Sequence, residues 1–235
     1  MAVAPQSHIL RILTGVNPPG AATVRQWSWV ATNGGDSTVN LGSTPVPGNI
    51  LVCMGAYDDP YNPYTLSLPA GVALSSYYYG AKAGSGEYNG TIIGSRTVVL
   101  GDGKGWKFST TDPHPACYFT GFVFEVPGAS RLALSTGFAG QADSNGDPVA
   151  LTSGPPGLTG SAFVAHFYPN WNVQDYQTSG WYPASGMSWL PHGTYPGQGG
   201  NGQYGTVTVG APLGCTNTIP PKSCIFAYVS LIAQM

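Results

Sequence analysis

Ten carboxylates and four histidines are the groups in this 235-residue chain with which acid–base or metal chemistry could be done. Hydrolysis by paired carboxylates needs two of them held at a set distance around a substrate. Most of the acids here, from Asp36 to Asp175, sit in stretches of Gly, Pro, Asn and Ser, where a short acidic side chain accepts backbone hydrogen bonds in a turn. Glu125 differs: it falls near the end of the apolar run Phe119–Val126 and reads as a strand-end carboxylate facing solvent, not as a catalytic acid. His8 lies near the start of the chain, His114 and His192 lie in proline-flanked loops, and His166 lies in an apolar run, where an interior histidine is expected. No Gly-x-Ser-x-Gly elbow is present. Asp143-Ser144-Asn145-Gly146-Asp147 alternates oxygen side chains as calcium loops do, but the twelfth position of an EF-hand loop, a glutamate, is Gly154 here. That segment therefore reads as an Asx-rich turn. The expectation is a chain with no metal, no cofactor and no catalytic residues.

Four cysteines remain. Cys53 and Cys117 stand in apolar runs and read as small buried hydrophobes. Cys215 and Cys224 bracket Thr-Asn-Thr-Ile-Pro-Pro-Lys-Ser, a loop that a disulfide could close in an oxidising compartment; a bridge and two free thiols both fit the spacing. No C-x-x-C pair supports a zinc site.

Recognition is better signalled than catalysis. Tyr57, Tyr61 and Tyr64 mark one loop rich in Asp, Asn and Pro, and Tyr168, Trp171 and Tyr176 mark a second. Aromatic rings beside amide and carboxylate groups can anchor a protein interface, stack on sugars, or cap the end of a core. The interface reading leads because the surface is so poor in charge.

Positioning those loops falls to β-strands. Only 8% of residues are charged, against roughly 25% in an ordinary soluble domain, while Gly numbers 34 and Pro 21. Poor helix formers and frequent punctuators indicate an all-β chain with many turns. Ile50–Tyr57, opened by Pro47-Gly48, has strand length and no polar alternation, as expected of a strand covered on both faces. Asp58–Pro63 is expected to stop it. Asp102-Gly103 signals a hairpin that would return Trp106–Ser109 against Thr91–Leu100. Residues 1–20 read as an arm in which Ile9, Leu10, Ile12 and Leu13 form an edge strand or dock on another subunit.

Net charge is −2 and no Lys/Arg run occurs, so neutralising a phosphate backbone has little to work with and nucleic acid is not an expected partner. No run approaches the roughly 18 apolar residues of a membrane span, and the first eight residues lack the basic and apolar regions of a signal peptide.

Landmarks recur in order. Asp36–Leu41 resembles Asp147–Leu151, and Leu51 and its neighbours resemble the run around Phe163. Pro69–Leu74 resembles Pro183–Leu190, Tyr88–Gly94 resembles Tyr204–Gly210, and Cys117–Phe119 resembles Cys224–Phe226. Such order points to duplication, with halves at about 21–127 and 128–235 in one β-sandwich domain. The joint at Pro127–Arg131 is too short to act as a linker.

Pro47-Gly48-Asn49-Ile50-Leu51-Val52, Leu68-Pro69-Ala70-Gly71-Val72 and Phe122-Val123-Phe124-Glu125-Val126-Pro127-Gly128-Ala129, followed by a second pass through the same order, resemble the jelly-roll β-sandwich proteins of tailed-bacteriophage virions, of the minor tail or capsid decoration type. Comparable segments occur in some bacterial surface and secreted proteins. The resemblance covers about residues 40–235 and rests on strand starts and turns. It implies a structural or adhesive role without catalysis, in a protein made in the host cytoplasm and operating in the virion. Its partners would be other capsid or tail proteins, copies of itself, and a glycan of the host surface. The alternative is a secreted, extracellular carbohydrate-binding module.

Overall fold

A computed structural model describes residues 7–8, 23–33, 35–59, 66–81, 88–110, 118–135, 139–142, 150–152, 160–167, 181–183, 187–190, 200–207, 214–217 and 224–234. These residues are all-β, with no helix among them. The strands up to residue 126 are β1 (Ser7–His8), β2 (Gln26–Asn33), β3 (Ser37–Asn40), β4 (Ile50–Asp59), β5 (Leu66–Ser67), β6 (Ala73–Ala81), β7 (Tyr88–Thr97), β8 (Gly105–Thr110) and β9 (Tyr118–Val126). The remainder are β10 (Arg131–Ser135), β11 (Ala139–Ala142), β12 (Ala150–Thr152), β13 (Gly160–Phe167), β14 (Trp181–Pro183), β15 (Met187–Trp189), β16 (Gly200–Val207), β17 (Gly214–Asn217) and β18 (Cys224–Gln234).

Two large antiparallel sheets carry the fold. One runs β1-β2-β9-β4-β7-β6 and the other β10-β18-β13-β16-β15, with β11 also paired to β18. Two three-stranded sheets, β3-β8-β5 and β12-β17-β14, accompany them. The large sheets lie against each other, with β13 over β4 and β7 and with β18 over β7 and β6.

Strand β4 meets the expectation for the Ile50–Tyr57 run. Residues Leu51 to Ala56 are all buried, because both faces of the sheet are covered. Side chains alternate across a strand, and here each set enters a different core. Leu51 and Cys53 join Val39, Leu66, Trp106 and Phe108 in the core against the β3-β8-β5 sheet. Val52 and Met54 join Trp27, Trp29, Phe122 and Phe124 on the opposite face. Leu190, from the far end of the chain, packs into that second core. On the first face, Gly55 pairs with Gly121 and the Phe119 ring fills the space both leave open. A Cβ on Gly121 would come within 2.6 Å of that ring, and one on Gly55 within 2.8 Å.

Three local expectations fail. Asp58 and Asp59 do not stop β4, whose pairing with β7 continues to Asp59 opposite Tyr88. Asp102-Gly103 does not form a hairpin: β8 crosses to the other sheet and pairs with β3 and β5. The turn there spans Val99–Asp102, with Gly101 as its left-handed residue and Asp102 at its end. Glu125 does not face solvent. The alternation that turns Phe119 and Val123 toward the first core turns Glu125 the same way, and its exposure is 0%.

Candidate functional site

Three tight turns meet at the end of the first large sheet from which β4 starts. Val46–Asn49, Pro69–Val72 and Val99–Asp102 are each closed by an N–H of the fourth residue donating to the carbonyl of the first, at 3.0, 3.0 and 3.2 Å. Each has glycine third, Gly48, Gly71 and Gly101, with φ of 90°, 76° and 96°. This is the pattern of a type II turn, in which the third residue must take positive φ and any side chain there is strained.

The turns are tied to one another. Gly48 N–H donates to Val98 O at 2.9 Å and Val98 N–H to Asn49 O at 2.8 Å, joining the first turn to the third. Arg96 joins the third to the second. Its Nη2 donates to both oxygens of Asp102 at 3.0 Å, and its Nη1 donates to Ala70 O at 3.1 Å. The Arg96 guanidinium also lies 5.3 Å from the centroid of the Trp106 ring, a cation–π distance. Asp102 completes the clamp by accepting the Val99 N–H at 2.8 Å.

Glu125 anchors the same end from within. One carboxylate oxygen accepts from Arg25 Nη1 and Gln26 Nε2, both at 2.6 Å. The other accepts from the Val46 N–H at 2.8 Å and Asn49 Nδ2 at 2.7 Å. Asn49 Oδ1 then accepts the N–H of Gly128 at 3.2 Å, and Gln26 Oε1 accepts from the Ser43 N–H and hydroxyl at 3.0 Å each. Burial opposes ionisation of Glu125. The bonds from Val46, Gln26, Asn49 and Arg25 outweigh it and hold the carboxyl below its usual range. With 0% exposure and hydrogen bonds on both oxygens, Glu125 acts as a structural tie.

Apolar side chains crown these turns. Large hydrophobics exposed among the described residues are Val46 at 42%, Leu74 at 59%, Val99 at 53% and Leu100 at 90%, all on or within two residues of a turn of this rim. No single stretch of the chain marks this rim, because the three turns are up to 56 residues apart and are assembled by β4, β6 and β7. The one local signal is Val99-Leu100 placed ahead of a glycine, an apolar pair where a turn ordinarily carries polar residues.

The residues singled out in the sequence are not brought together in what is described. Tyr57 lies on β4, paired with Gly90 and Phe119. Tyr61, Tyr64, Tyr168, Trp171 and Tyr176 lie outside the described residues, as do Ile9, Leu10, Ile12 and Leu13, Cys117 and the Asp143–Asp147 segment. Just ahead of that apolar arm segment, Ser7 and His8 pair with Ser28 and Trp27 at the sheet edge. His166 is in register with Asn201 and Tyr228 on β13, β16 and β18. Cys215 pairs with Leu151 and Pro183 in a three-stranded sheet, and Cys224 pairs with Ala142 in a large one. Cys53 is a buried free thiol. No cluster of three or more His, Cys, Asp or Glu suited to a metal occurs among the described residues. No helix long and apolar enough to cross a membrane occurs among the described residues, which leaves strands unaddressed. Asp36 accepts from Lys107 and from the Thr110 N–H, contacts that lower its pKa.

Comparisons with protein-family models, with curated proteins and with solved structures return no match.

Proposed function

We propose that this chain is a non-enzymatic structural protein of a tailed-bacteriophage virion, a minor tail or capsid decoration component present in many copies. Its fold would be a jelly roll repeated in two halves of one domain. The observation that carries this reading is the agreement between the strand orders of the two large sheets. Reading β2-β9-β4-β7-β6 beside β10-β18-β13-β16-β15 matches each strand to one at the same place in chain order, counting β10 and β11 together as the counterpart of β2. The small sheets β3-β8-β5 and β12-β17-β14 match in the same way. Within the first half, the interleaving of β2-β9-β4-β7 with β3-β8-β5 is the alternation expected of a jelly roll. The recurring landmarks fall on those matched strands or on the segments leading into them.

A role in a repeated shell or tail suits such a body. Both faces of its first large sheet are packed, only 8% of its residues are charged, and its end turns are locked by buried or charge-assisted bonds. Rigid elements of this kind bind by many weak contacts multiplied by copy number. The aromatic segments around Tyr61 and Trp171 and the stretch at residues 1–20 are the proposed points of contact with other virion proteins or the host surface.

Co-sedimentation with purified virions of the source phage tests the proposal. The intact chain is expected at fixed stoichiometry, and a chain lacking residues 1–20 is expected to fold but not to bind. Full occupancy by the shortened chain would remove the arm assignment. Absence of the intact chain from virions, with a glycan-array signal lost in Trp171→Ala and Tyr61→Ala, would favour the secreted carbohydrate-binding module instead.

A further inference from the structure

We infer that Glu125 is a proton-operated latch, whose carboxylate holds the segment Gly42–Pro47 and the joint at Gly128 in place and releases both on protonation while the strands stay paired. Apart from Pro45, the residues from Gly42 to Pro47 are exposed, so apolar packing holds this segment weakly. Backbone bonds fix its two ends, where the Leu41 N–H donates to Lys104 O at 3.0 Å and the Gly48 N–H donates to Val98 O at 2.9 Å. Between those ends the polar ties converge on one carboxylate and the two amides it orients. Glu125 accepts the Val46 N–H directly, at 2.8 Å. It reaches Ser43 through Gln26, whose Nε2 donates to the carboxylate and to Ser43 O and whose Oε1 accepts from the Ser43 N–H. It reaches Gly128 through Asn49, whose Nδ2 donates to the carboxylate and whose Oδ1 accepts from the Gly128 N–H.

Charge is what sets these relays. An ionised carboxylate only accepts, so it turns the NH2 ends of Gln26 and Asn49 toward itself and leaves their carbonyl oxygens for Ser43 and Gly128. Each carboxylate oxygen already faces two donors. A proton on either one points a third hydrogen into that set, and the bonds that remain lose their charge assistance, roughly half their strength. The strand ladder does not depend on this charge, because Glu125 pairs through its backbone with Gln26 on β2 and Leu51 on β4. Opening the exposed segment alone therefore costs less than unfolding the sheet. Among the described residues, Arg25 is the one charged side chain in contact with Glu125, and β2, β4 and the turn before β4 otherwise offer Gln26, Asn49 and the Val46 N–H, none of which titrates. The carboxyl titrates below its usual value of 4.5 when latched and near it when released. Between those two values opening takes up a proton, so the open population rises by up to about tenfold for each unit that pH falls, and it levels off below the latched value.

Amide hydrogen exchange of the intact protein, read residue by residue by NMR and corrected for the intrinsic rate at each pH, tests the latch. The N–H groups of Ser43, Val46 and Gly128 are built-in reporters, and those of Leu51 to Met54 on β4 are the reference. On acidification below about pH 4.5, protection at the three reporters is expected to fall together, by up to about tenfold per pH unit, while the β4 amides keep theirs. Glu125→Gln should leave the reporters weakly protected at every pH. Asn49→Ala, which keeps the carboxylate and its bond to Val46, should expose the Gly128 N–H at every pH and leave the pH dependence at Val46. Reporter protection that does not change with pH overturns the inference, as does loss in step with the β4 amides, which would be global unfolding. PH dependence that survives in Glu125→Gln, or Gly128 protection untouched by Asn49→Ala, also overturns it. If Glu125→Gln does not fold, the wild-type comparison and Asn49→Ala still decide. Virions take no part, so the outcome is independent of the proposed function.

Discussion

Asn49 donates from its side chain to Glu125 at 2.7 Å and accepts at its other amide atom from the N–H of Gly128, so one amide links a buried carboxylate to the joint between the two large sheets. Glu125→Gln replaces a charged acceptor of four bonds with a group that must also donate, leaving a donor unpaired beside a buried side chain. Loss of a buried partner of this kind costs about 3–5 kcal/mol. Chemical denaturation should show a loss toward the lower end of that range, because the Arg25 side chain is 40% exposed and its share is screened.

The same carboxylate sets an acid limit. Its folded pKa is lowered, so its stabilisation is complete above the unfolded value, near 4.5, and is lost as pH falls through the folded value. Denaturation midpoints should fall between about pH 5 and pH 2 more steeply in wild type than in Glu125→Gln. Parallel slopes would mean that Glu125 is not the group that titrates.

Arg96→Met keeps the stem and removes the bonds to Asp102 and Ala70. A loss of about 1–2 kcal/mol is expected, concentrated at the rim. Hydrogen exchange should quicken at the Val99 and Asp102 amides while the β4 amides of Leu51 to Met54 change only by the global amount.

Gly121→Ala would place a methyl against the Phe119 ring, which also covers Gly55 and leans on Phe108 at a centroid distance of 5.2 Å. Overpacking at such a site costs about 1–3 kcal/mol. Calorimetry should register it, and Phe119→Leu in the same chain should recover part of the loss.

Cys53 reports on opening. Burial pushes its thiol pKa well above the ordinary value, against a smaller opposing pull from Arg96, so the reactive thiolate is scarce in the native protein. Iodoacetamide should leave Cys53 unmodified under native conditions and label it at the rate of global unfolding. Rapid native labelling would mean that β4 opens locally.

Strand β4 was legible from residues alone because two covered faces leave no polar alternation, and Ile50–Tyr57 shows none. Its partners were less so. Asp102-Gly103 suggested a hairpin because turn propensity is local, whereas the crossover of β8 is decided by where Trp106 and Phe108 find a core. Glu125 was misjudged for a related reason: its donors lie 76 to 100 residues away, and no window around Val126 contains them. The aliphatic rim was invisible for the same cause, being the product of three distant turns.

The pairing of β2 with β9 also dictates how slowly the chain must find its shape. Gln26 and Glu125 are neighbours in the sheet but stand 99 residues apart along the chain, so their strands can zip together only after a long loop has closed. Topologies dominated by such distant pairings fold in milliseconds to seconds rather than microseconds. During that interval Trp27 and Phe124, whose rings stack at 5.6 Å once the sheet is complete, are open to neighbours. Exposed apolar strands are prone to aggregate during such a delay, so the yield of refolding should fall as protein concentration rises.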